Sequence, residues 1–237
     1  MRVAAAQFTC VPKDVQANLG RMVRLAEQAG DDSAELIVFP ELAVTGYELA
    51  ATAADESLWL RPDDPRLDRL RTTGIATVVN CAASALDGHR PVIATYVYDA
   101  GGALLTTYHK QHLFENEQEF FSPADKDGRF ELQGLRFSLA TCFDNHSPDL
   151  IARIADDDCD VHLASALYGT GAGIAERASL YPAIAQRANV YVALANHVGP
   201  AGPVTACGRA ALRSPDGTLL TEADPHTPMI ATANIAV

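Results

Sequence analysis

A chain of 237 residues with 48% hydrophobic and 20% charged residues has an ordinary globular composition and can bury a sizeable core. The formal net charge of −12 argues against nucleic acid and anionic membranes as partners, because both favour lysine and arginine. No apolar run approaches the roughly 18 residues that span a bilayer, and the start lacks a signal peptide's apolar core. Five scattered cysteines without a C-x-x-C pair indicate a reduced, cytoplasmic protein.

Short apolar runs alternate with helical patterns in the first half of the chain. The patterns predict strands over 2–8, 36–39, 75–82, 91–98 and 104–109, and helices over 15–29 and 67–72. The stretch Asp99-Ala100-Gly101-Gly102 is typical of a hairpin turn between the last two of these strands.

The same alternation continues to the end. It predicts strands over 130–132, 135–141, 161–167, 190–195, 209–213 and 229–235, and helices over 148–155 and 176–187. Ser147 and Pro148 are the expected N-cap and first residue of the former helix. No repeat, low-complexity tract or linker divides the chain, so we expect a single α/β domain over residues 1–237.

One glycine-rich stretch, Gly169-Thr170-Gly171-Ala172-Gly173, follows a predicted strand. It lacks both the G-K-[ST] ending of a phosphate loop and the G-x-G-x-x-G spacing of a dinucleotide site. We therefore interpret it as a mobile active-site loop rather than a nucleotide site.

Three ionisable residues of different chemistry, Glu41, Lys110 and Cys142, lie at or just after the ends of predicted strands. Strands that feed helices bring their carboxyl ends to a common rim, where α/β proteins bind ligands. One such residue alone is more often an ordinary turn residue. A carboxylate, an ammonium and a thiol together form a working set for acyl transfer.

The chemistry of these groups suggests a role for each. A cysteine with a pKa of about 8.5 needs a base, and Glu41, with a pKa raised by burial, could accept the Cys142 proton. Lys110 and the backbone N–H of Phe143 could donate to the oxygen of a tetrahedral intermediate. The residues therefore predict a thioacyl intermediate, departure of ammonia or an amine, and release of an acid by water.

Three stretches carry a resemblance to a known family: Phe39-Pro40-Glu41-Leu42 with Thr45-Gly46-Tyr47, Tyr108-His109-Lys110-Gln111-His112-Leu113-Phe114, and Ala140-Thr141-Cys142-Phe143-Asp144. They resemble, in order and separation, the motifs of the nitrilase superfamily, the carbon–nitrogen hydrolases with a Glu-Lys-Cys triad. The resemblance runs from Arg2 to the final strand. It implies a four-layer α-β-β-α sandwich with two mixed β-sheets and a homodimer or larger homo-oligomer. It also implies a small amide-like substrate and no metal ion or organic cofactor.

The resemblance also bears on the type of reaction. Cys142-Phe143-Asp144 is similar to the amidase branches, whereas true nitrilases tend to have tryptophan after the cysteine. Amide hydrolysis is therefore expected, with N-carbamoyl or ureide hydrolysis and nitrile hydrolysis as alternatives. After the cysteine, Asn145-His146-Ser147-Pro148-Asp149 replaces the arginine and aromatic that the family commonly has. That departure keeps open a catalytically silent member that acts as a binding protein.

Further site residues follow from the same resemblance. The family often adds a second glutamate beyond the lysine, and Glu117 has the best spacing, with Glu115 and Glu119 as alternatives to it. The ordinary interpretation of this acidic segment is a solvated loop. Tyr47 and Tyr168 are candidate pocket walls.

Two other sites compete with this interpretation. One is a cysteine–histidine pair, which would leave the glutamate and the lysine without a role; its candidate bases are His146, His162 and His197. The other is a zinc site, whose candidate ligands are Cys142, His146, Cys159 and His162. The zinc site would have to take His162 from inside a predicted strand.

Overall fold

The computed structural model describes residues 1–85 and 90–236. Its helices are α1 (Val15–Asp31), α2 (Leu49–Ala54), α3 (Asp68–Arg71), α4 (Pro148–Asp156) and α5 (Ala172–Ala188). Short 3₁₀ helices cover Glu56–Leu58, Pro65–Leu67 and Cys142–His146. Within the described ranges, no helix is long and apolar enough to cross a bilayer.

The strands of the described ranges belong to one mixed network of backbone pairing. They are β1 (Arg2–Phe8), β2 (Leu36–Val38), β3 (Ala76–Ala83), β4 (Val92–Tyr98), β5 (Leu104–His109), β6 (Arg129–Leu132), β7 (Leu135–Thr141), β8 (Val161–Ala166), β9 (Tyr191–Ala201), β10 (Val204–Cys207), β11 (Ala211–Arg213), β12 (Leu219–Glu222) and β13 (Met229–Asn234). The main path runs β5-β4-β3-β2-β1-β9-β8-β7-β6. Parallel pairing holds around β1 to β3 and β7 to β9, and antiparallel pairing holds at both edges.

A short seam divides this network into two half-sheets. β1 pairs with β9 through Gln7 with Asn196 and Phe8 with His197. We call β1 to β5 with β13 the N-terminal half-sheet, and β6 to β12 the C-terminal half-sheet. Because each strand presents alternate side chains to opposite faces, each half-sheet needs cover on both sides.

Four layers provide that cover. Ala4 of β1 packs in a cluster with Met22 of α1, whereas its neighbour Val3 packs in a second cluster with Leu163 of β8. That second cluster lies between the half-sheets. The far face of the C-terminal half-sheet packs on α4 and α5, with Ile154 and Ile184 fully buried or nearly so. The expected α/β architecture in α-β-β-α order is confirmed, and the two expected sheets are joined at the seam.

The predicted elements are all present, with shifted ends. Ser147 caps α4 by accepting from the Leu150 backbone N–H at 3.4 Å, and Pro148 is the first helical residue, as expected. The helix predicted over 176–187 begins four residues earlier, at Ala172, because two of the glycines that suggested a loop lie at its start. The sequence patterns missed α2, β10 and β12, which are short and lack clear alternation.

Candidate active site

The three candidate catalytic residues come from both half-sheets. Glu41 lies three residues past β2, Lys110 directly follows β5, and Cys142 directly follows β7. The backbone is left-handed at Leu42 (φ 47°) and at Cys142 (φ 48°). Residues other than glycine rarely adopt this conformation, and such strained positions cluster at functional sites.

The Lys110 ammonium is the centre of a buried charge cluster. Its Nζ lies 2.7 Å from Oε1 of Glu41 and 2.6 Å from Oε2 of Glu117, and all three residues are 0% exposed. Burial alone lowers the Lys110 pKa, but the charges of Glu41 and then Glu117 outweigh it and raise the pKa above its ordinary value. Lys110 therefore remains an ammonium.

Glu117 is the acidic residue that the structure places against Lys110, while Glu115 and Glu119 are exposed. Its Oε1 accepts from the Tyr47 hydroxyl at 2.7 Å, and its Oε2 accepts from the Phe114 backbone N–H at 2.8 Å. Both oxygens are thus held by donors in addition to the ammonium. A carboxylate bonded in this way is fixed in position.

Glu41 differs from Glu117 because one of its carboxylate oxygens has no hydrogen-bond partner among the described residues. Its Oε2 is buried and makes no hydrogen bond of good geometry with any residue of the described ranges. Burial raises the Glu41 pKa to about 8, against the opposing charge of Lys110; the Cys142 thiol, acting as a weak donor, lowers it slightly. Near neutral pH the carboxyl group is therefore poised between its two protonation states.

Cys142 presents a protonated thiol. Its Sγ lies 3.8 Å from the Leu167 carbonyl oxygen. Burial raises the thiol pKa well above its ordinary value, and the charge of Glu41 adds to this effect while that of Lys110 opposes it. A reactive thiolate at this position therefore requires a base that removes the proton.

Asp144 hydrogen-bonds both to the backbone just before Cys142 and to residues on either side of Lys110. Its Oδ2 accepts from the Thr141 backbone N–H at 3.1 Å and from the Tyr108 hydroxyl at 2.5 Å. Its Oδ1 accepts from the backbone N–H groups of Gln111 and His112 at 3.1 and 2.7 Å. One carboxylate thus sets the position of Cys142 relative to Lys110.

A second polar chain supports the strained backbone of Cys142. The Asn145 side-chain amide donates to the Cys142 carbonyl oxygen at 3.0 Å, and its Oδ1 lies 2.7 Å from Nε2 of His162. Nδ1 of His162 lies 2.9 Å from the Ser138 hydroxyl. Burial lowers the His162 pKa to about 3, so the ring is neutral. Its Nε2–H donates to the Asn145 amide oxygen, which leaves the amide N–H of Asn145 to donate to the Cys142 carbonyl oxygen.

A third link joins the glutamate turn to the cysteine strand. Asn80 of β3 accepts from the Leu42 backbone N–H at 2.7 Å and donates to the Thr141 hydroxyl at 3.1 Å. The Leu42 bond holds the left-handed residue that follows Glu41. One amide thus bonds both the turn that follows Glu41 and the last strand residue before Cys142.

A cavity of about 210 Å³ opens beside Cys142. Its walls include Tyr47 and Tyr168, the two candidate wall residues, and Phe143, whose backbone N–H is the expected oxyanion donor. Gly169 also lines it, and the neighbouring Thr170 backbone N–H bonds the Thr205 carbonyl oxygen at 2.8 Å. The glycine-rich stretch therefore borders the cavity.

The rival sites do not assemble. His146 bonds Glu176 and His197 bonds the Glu41 carbonyl oxygen, at 2.8 and 2.5 Å, so the contacts of these rings lie elsewhere than on the Cys142 sulfur. Both nitrogens of His162 are occupied, as described above. In residues 1–85 and 90–236, no group of three or more His, Cys, Asp or Glu side chains is placed to hold a metal ion.

The supporting amides and Asp144 were not assigned from the sequence. Asn80 and His162 do leave a signal, because each is a polar residue inside an otherwise apolar strand. A polar side chain in that setting must find a buried partner. Asn145 leaves no such signal, since polar residues are common in turns.

Known proteins share both this fold and this sequence pattern. An amidase from Nesterenkonia sp. AN1 superposes with a TM-score of 0.90 at 27% identity, over 100% of this chain and 93% of that chain. A hydrolase of Pseudomonas protegens is 29% identical over 228 residues, which is 92% of this chain and 77% of the relative. A 2-oxoglutaramate amidase of Bacillus subtilis is 33% identical over 140 residues, which is 56% of this chain and only 52% of that protein.

The family assignment rests on the broadest of these matches. The family model for carbon–nitrogen hydrolases matches residues 2–237. Its extent agrees with the structural superposition on the amidase, which covers the whole chain. The chain therefore belongs to the carbon–nitrogen hydrolase family, within the nitrilase superfamily, and is a hydrolase of the amidase type.

Proposed function

We propose that the protein hydrolyses the C–N bond of a small carboxamide through a thioester on Cys142. Glu41 acts as the general base, Lys110 stabilises negative charge, and Glu117 is the positioning residue that holds Lys110. The observation that carries this proposal is the free Oε2 of the buried Glu41 carboxyl group, next to a protonated thiol. A base with an open acceptor position is what a protonated nucleophile needs.

Acylation begins when the Glu41 carboxylate takes the thiol proton while Sγ of Cys142 attacks the amide carbon. The carbonyl oxygen becomes negative, and the Lys110 ammonium and the Phe143 backbone N–H stabilise it. The C–N bond then breaks, and protonated Glu41 returns its proton to the leaving nitrogen. Ammonia, or an amine, leaves and a thioester remains on Cys142.

Deacylation repeats the same proton path with water. Glu41 removes a proton from a water molecule, whose oxygen attacks the thioester carbon. Collapse of the second tetrahedral intermediate breaks the C–S bond, and the proton on Glu41 restores the thiol. The sum is amide plus water giving carboxylic acid plus ammonia, with the enzyme unchanged.

The pKa directions fit these roles. A base is most effective when its pKa lies near the working pH, and burial raises the Glu41 pKa to about 8. Lys110 cannot itself be the base, because its two carboxylate partners keep it protonated. The raised pKa of Cys142 means that the thiolate forms only as the proton moves to Glu41.

Intact-protein mass spectrometry during turnover of a short aliphatic amide tests the proposal. We expect an acyl mass on Cys142 and release of ammonia, and both should vanish in Cys142→Ala. Cys159→Ala is the matched control, since Cys159 is a buried cysteine that lines no part of this cavity, and it should retain both. Ammonia release that survives Cys142→Ala would refute the thioester route.

The type of C–N bond is a separate question. A panel of amides, N-carbamoyl compounds, ureides and nitriles, read by ammonia release, ranks the possible reactions. We expect the amides to have the highest kcat/KM. No turnover of any compound, with no adduct on Cys142, would favour the silent binding protein.

The oligomeric state and the cellular location of the enzyme are two further proposals. We infer a homodimer or larger homo-oligomer from the family resemblance, which light scattering of the purified protein tests. We also infer the cytoplasm, because all five cysteines are free thiols. Fractionation of the source cells tests that location.

A further inference from the structure

The cavity beside Cys142 offers no free positive charge. Of the described residues that line it, none is lysine or arginine, and the ionisable side chains besides Cys142 and two tyrosines are His146 and Glu176. The nearby Lys110 is 0% exposed and its ammonium is already bonded to two carboxylates. A carboxylate on a substrate would therefore find no unpaired cation in this cavity.

His146 and Glu176 form a pair that leaves the cavity neutral or negative. Nε2 of His146 lies 2.8 Å from Oε1 of Glu176, and their side chains are 34% and 44% exposed. A protonated His146 is neutralised by Glu176, whereas a neutral His146 leaves the Glu176 charge uncompensated. In neither state does the pair supply a net positive charge for an anion, and with a neutral His146 it repels one; the net charge of −12 adds to this repulsion at long range.

One part of the cavity wall is apolar and exposed to solvent. The rings of Phe114 and Phe143 meet edge to face with centroids 5.4 Å apart, and Phe143 also lies 5.3 Å from the His146 ring. Phe114, Phe143 and Val204 line the cavity and are 44%, 36% and 41% exposed. An apolar group that covers this surface removes it from water, which lowers the free energy of the complex.

The size of the cavity limits that group. Its volume of about 210 Å³ is below the range of about 300–1,000 Å³ that is typical of pockets for larger ligands. A short acyl group fits such a cavity better than an extended one. The cavity volume, the apolar wall and the absence of a free cation among the described lining residues therefore all favour a short acyl group without negative charge.

We propose that the substrate is a small amide whose acyl group carries no negative charge, and that Glu176 excludes anionic amides. This inference rests on the proposed amidase function and names its substrate class. Glu176 acts on the part of the substrate that lies away from the scissile bond. It is therefore a specificity residue and takes no part in the bond-breaking steps.

Succinamide and succinamate provide the matched pair for the test. They have the same carbon chain and differ at the far end, where one carries a second amide and the other a carboxylate. We expect kcat/KM for succinamide to exceed that for succinamate by on the order of tenfold or more, after correction for its two equivalent amides. In Glu176→Gln this ratio should fall several-fold, because the repelling charge is gone.

Two controls isolate the local charge. Glu27→Gln removes the same charge from an exposed position on α1, and the ratio should stay at its wild-type value. In the wild-type protein, added salt should also reduce the ratio, since it screens charges at a partly exposed site. The salt measurement needs no variant and does not depend on how Glu176→Gln folds.

The outcomes separate this inference from the proposed function. Succinamate cleaved as fast as succinamide, or a ratio unchanged by both Glu176→Gln and salt, would overturn the charge selection while leaving the amidase intact. No ammonia from any neutral amide, together with no acyl mass on Cys142, would overturn the proposed function and this inference with it.

Discussion

The Lys110 ammonium donates to the Glu41 carboxylate over 2.7 Å, with neither side chain exposed to solvent. Glu117 holds the same ammonium from another side at 2.6 Å. One positive charge thus serves two buried carboxylates, and a single protonated carboxyl makes the cluster neutral. The predictions for Lys110 and Glu41 depend on that balance of charge.

Replacement of Lys110 by methionine should destabilise the protein strongly. Methionine retains much of the apolar stem but leaves two buried carboxyl groups without their cation. Breaking a buried ion pair by removal of one partner costs about 3–5 kcal/mol. Urea unfolding near neutral pH should show a loss of this order, and the loss should shrink as pH falls, because the carboxyl groups can then take up protons.

Lys126→Met is the matched control, since the Lys126 side chain is exposed. Surface substitutions usually change the free energy of unfolding by about 0.5 kcal/mol or less. If both variants unfold at the same urea concentration as the wild type, the charge cluster does not exist in solution.

Replacement of Glu41 by glutamine should remove the base while nearly preserving shape. Loss of general-base catalysis typically lowers the rate by about 10²–10⁴-fold. We expect kcat to fall in this range with a melting temperature at or above that of the wild type, measured by ammonia release and calorimetry. Glu119→Gln, which removes the same charge from an exposed position, should keep the wild-type kcat. A similar fall in that variant would point to a nonspecific charge effect.

The pH profile of the wild type should report the same carboxyl group. Glu41 acts as a base only when ionised, and its pKa is raised by burial to about 8. Activity, measured as kcat/KM, should therefore rise with pH and level off above about 8. A plateau that already begins near pH 5 would mean that the base has an ordinary carboxyl pKa.

Glu41 should also make the fold less stable as pH rises. The unfolded chain releases this proton near pH 4.5, whereas the folded protein keeps it until about pH 8. Between these values the native state binds more protons, so the free energy of unfolding falls with increasing pH. Urea unfolding at several pH values should show a steeper fall for the wild type than for Glu41→Gln, and parallel curves would contradict the raised pKa.

His162 should affect the rate without affecting the pH profile. A hydrogen-bond chain through Asn145 links it to Cys142, and its pKa of about 3 keeps it neutral over the assay range. In His162→Gln we expect kcat to fall by about tenfold, with KM and the midpoint of the pH profile unchanged, because misplacement of a reacting group slows chemistry.

A comparison with His162→Leu separates positioning from packing. Glutamine can still hydrogen-bond Asn145, whereas leucine cannot, so Gln should retain more activity than Leu at equal thermal stability. A shifted pH midpoint in His162→Gln would instead assign the proton transfer to this histidine.

The strand ends, and the positions of Glu41, Lys110 and Cys142 beside them, could be predicted because they leave local signals. Glu41 and Cys142 each follow closely on an apolar run, and Lys110 follows a strand that includes threonine and tyrosine, so each marks a change of residue type within a few positions. The Pro148 helix start is equally local, since proline at the first helical position has a fixed φ that suits it. Such features need no knowledge of the distant chain.

The supporting bonds could not be predicted because their partners lie far apart in sequence. Asn80 bonds Thr141, 61 positions later, and Tyr108 bonds Asp144, 36 positions later. Similarly, β10 exists because β9 continues to Ala201 and provides an edge for it. The left-handed backbone at Cys142 is likewise set by its surroundings, since cysteine has no preference for it.

The seam between Gln7–Phe8 and Asn196–His197 has a consequence for how the enzyme could be tuned. Glu41 and Lys110 follow strands of the N-terminal half-sheet, and Cys142 follows a strand of the C-terminal half-sheet. The relative position of the two half-sheets therefore sets how these three residues meet. Mutations that shift one half-sheet relative to the other, even far from the candidate active site, should change kcat more than they change the melting temperature. Substitutions among the side chains packed between the half-sheets could therefore alter the turnover rate while the residues of the candidate active site stay the same.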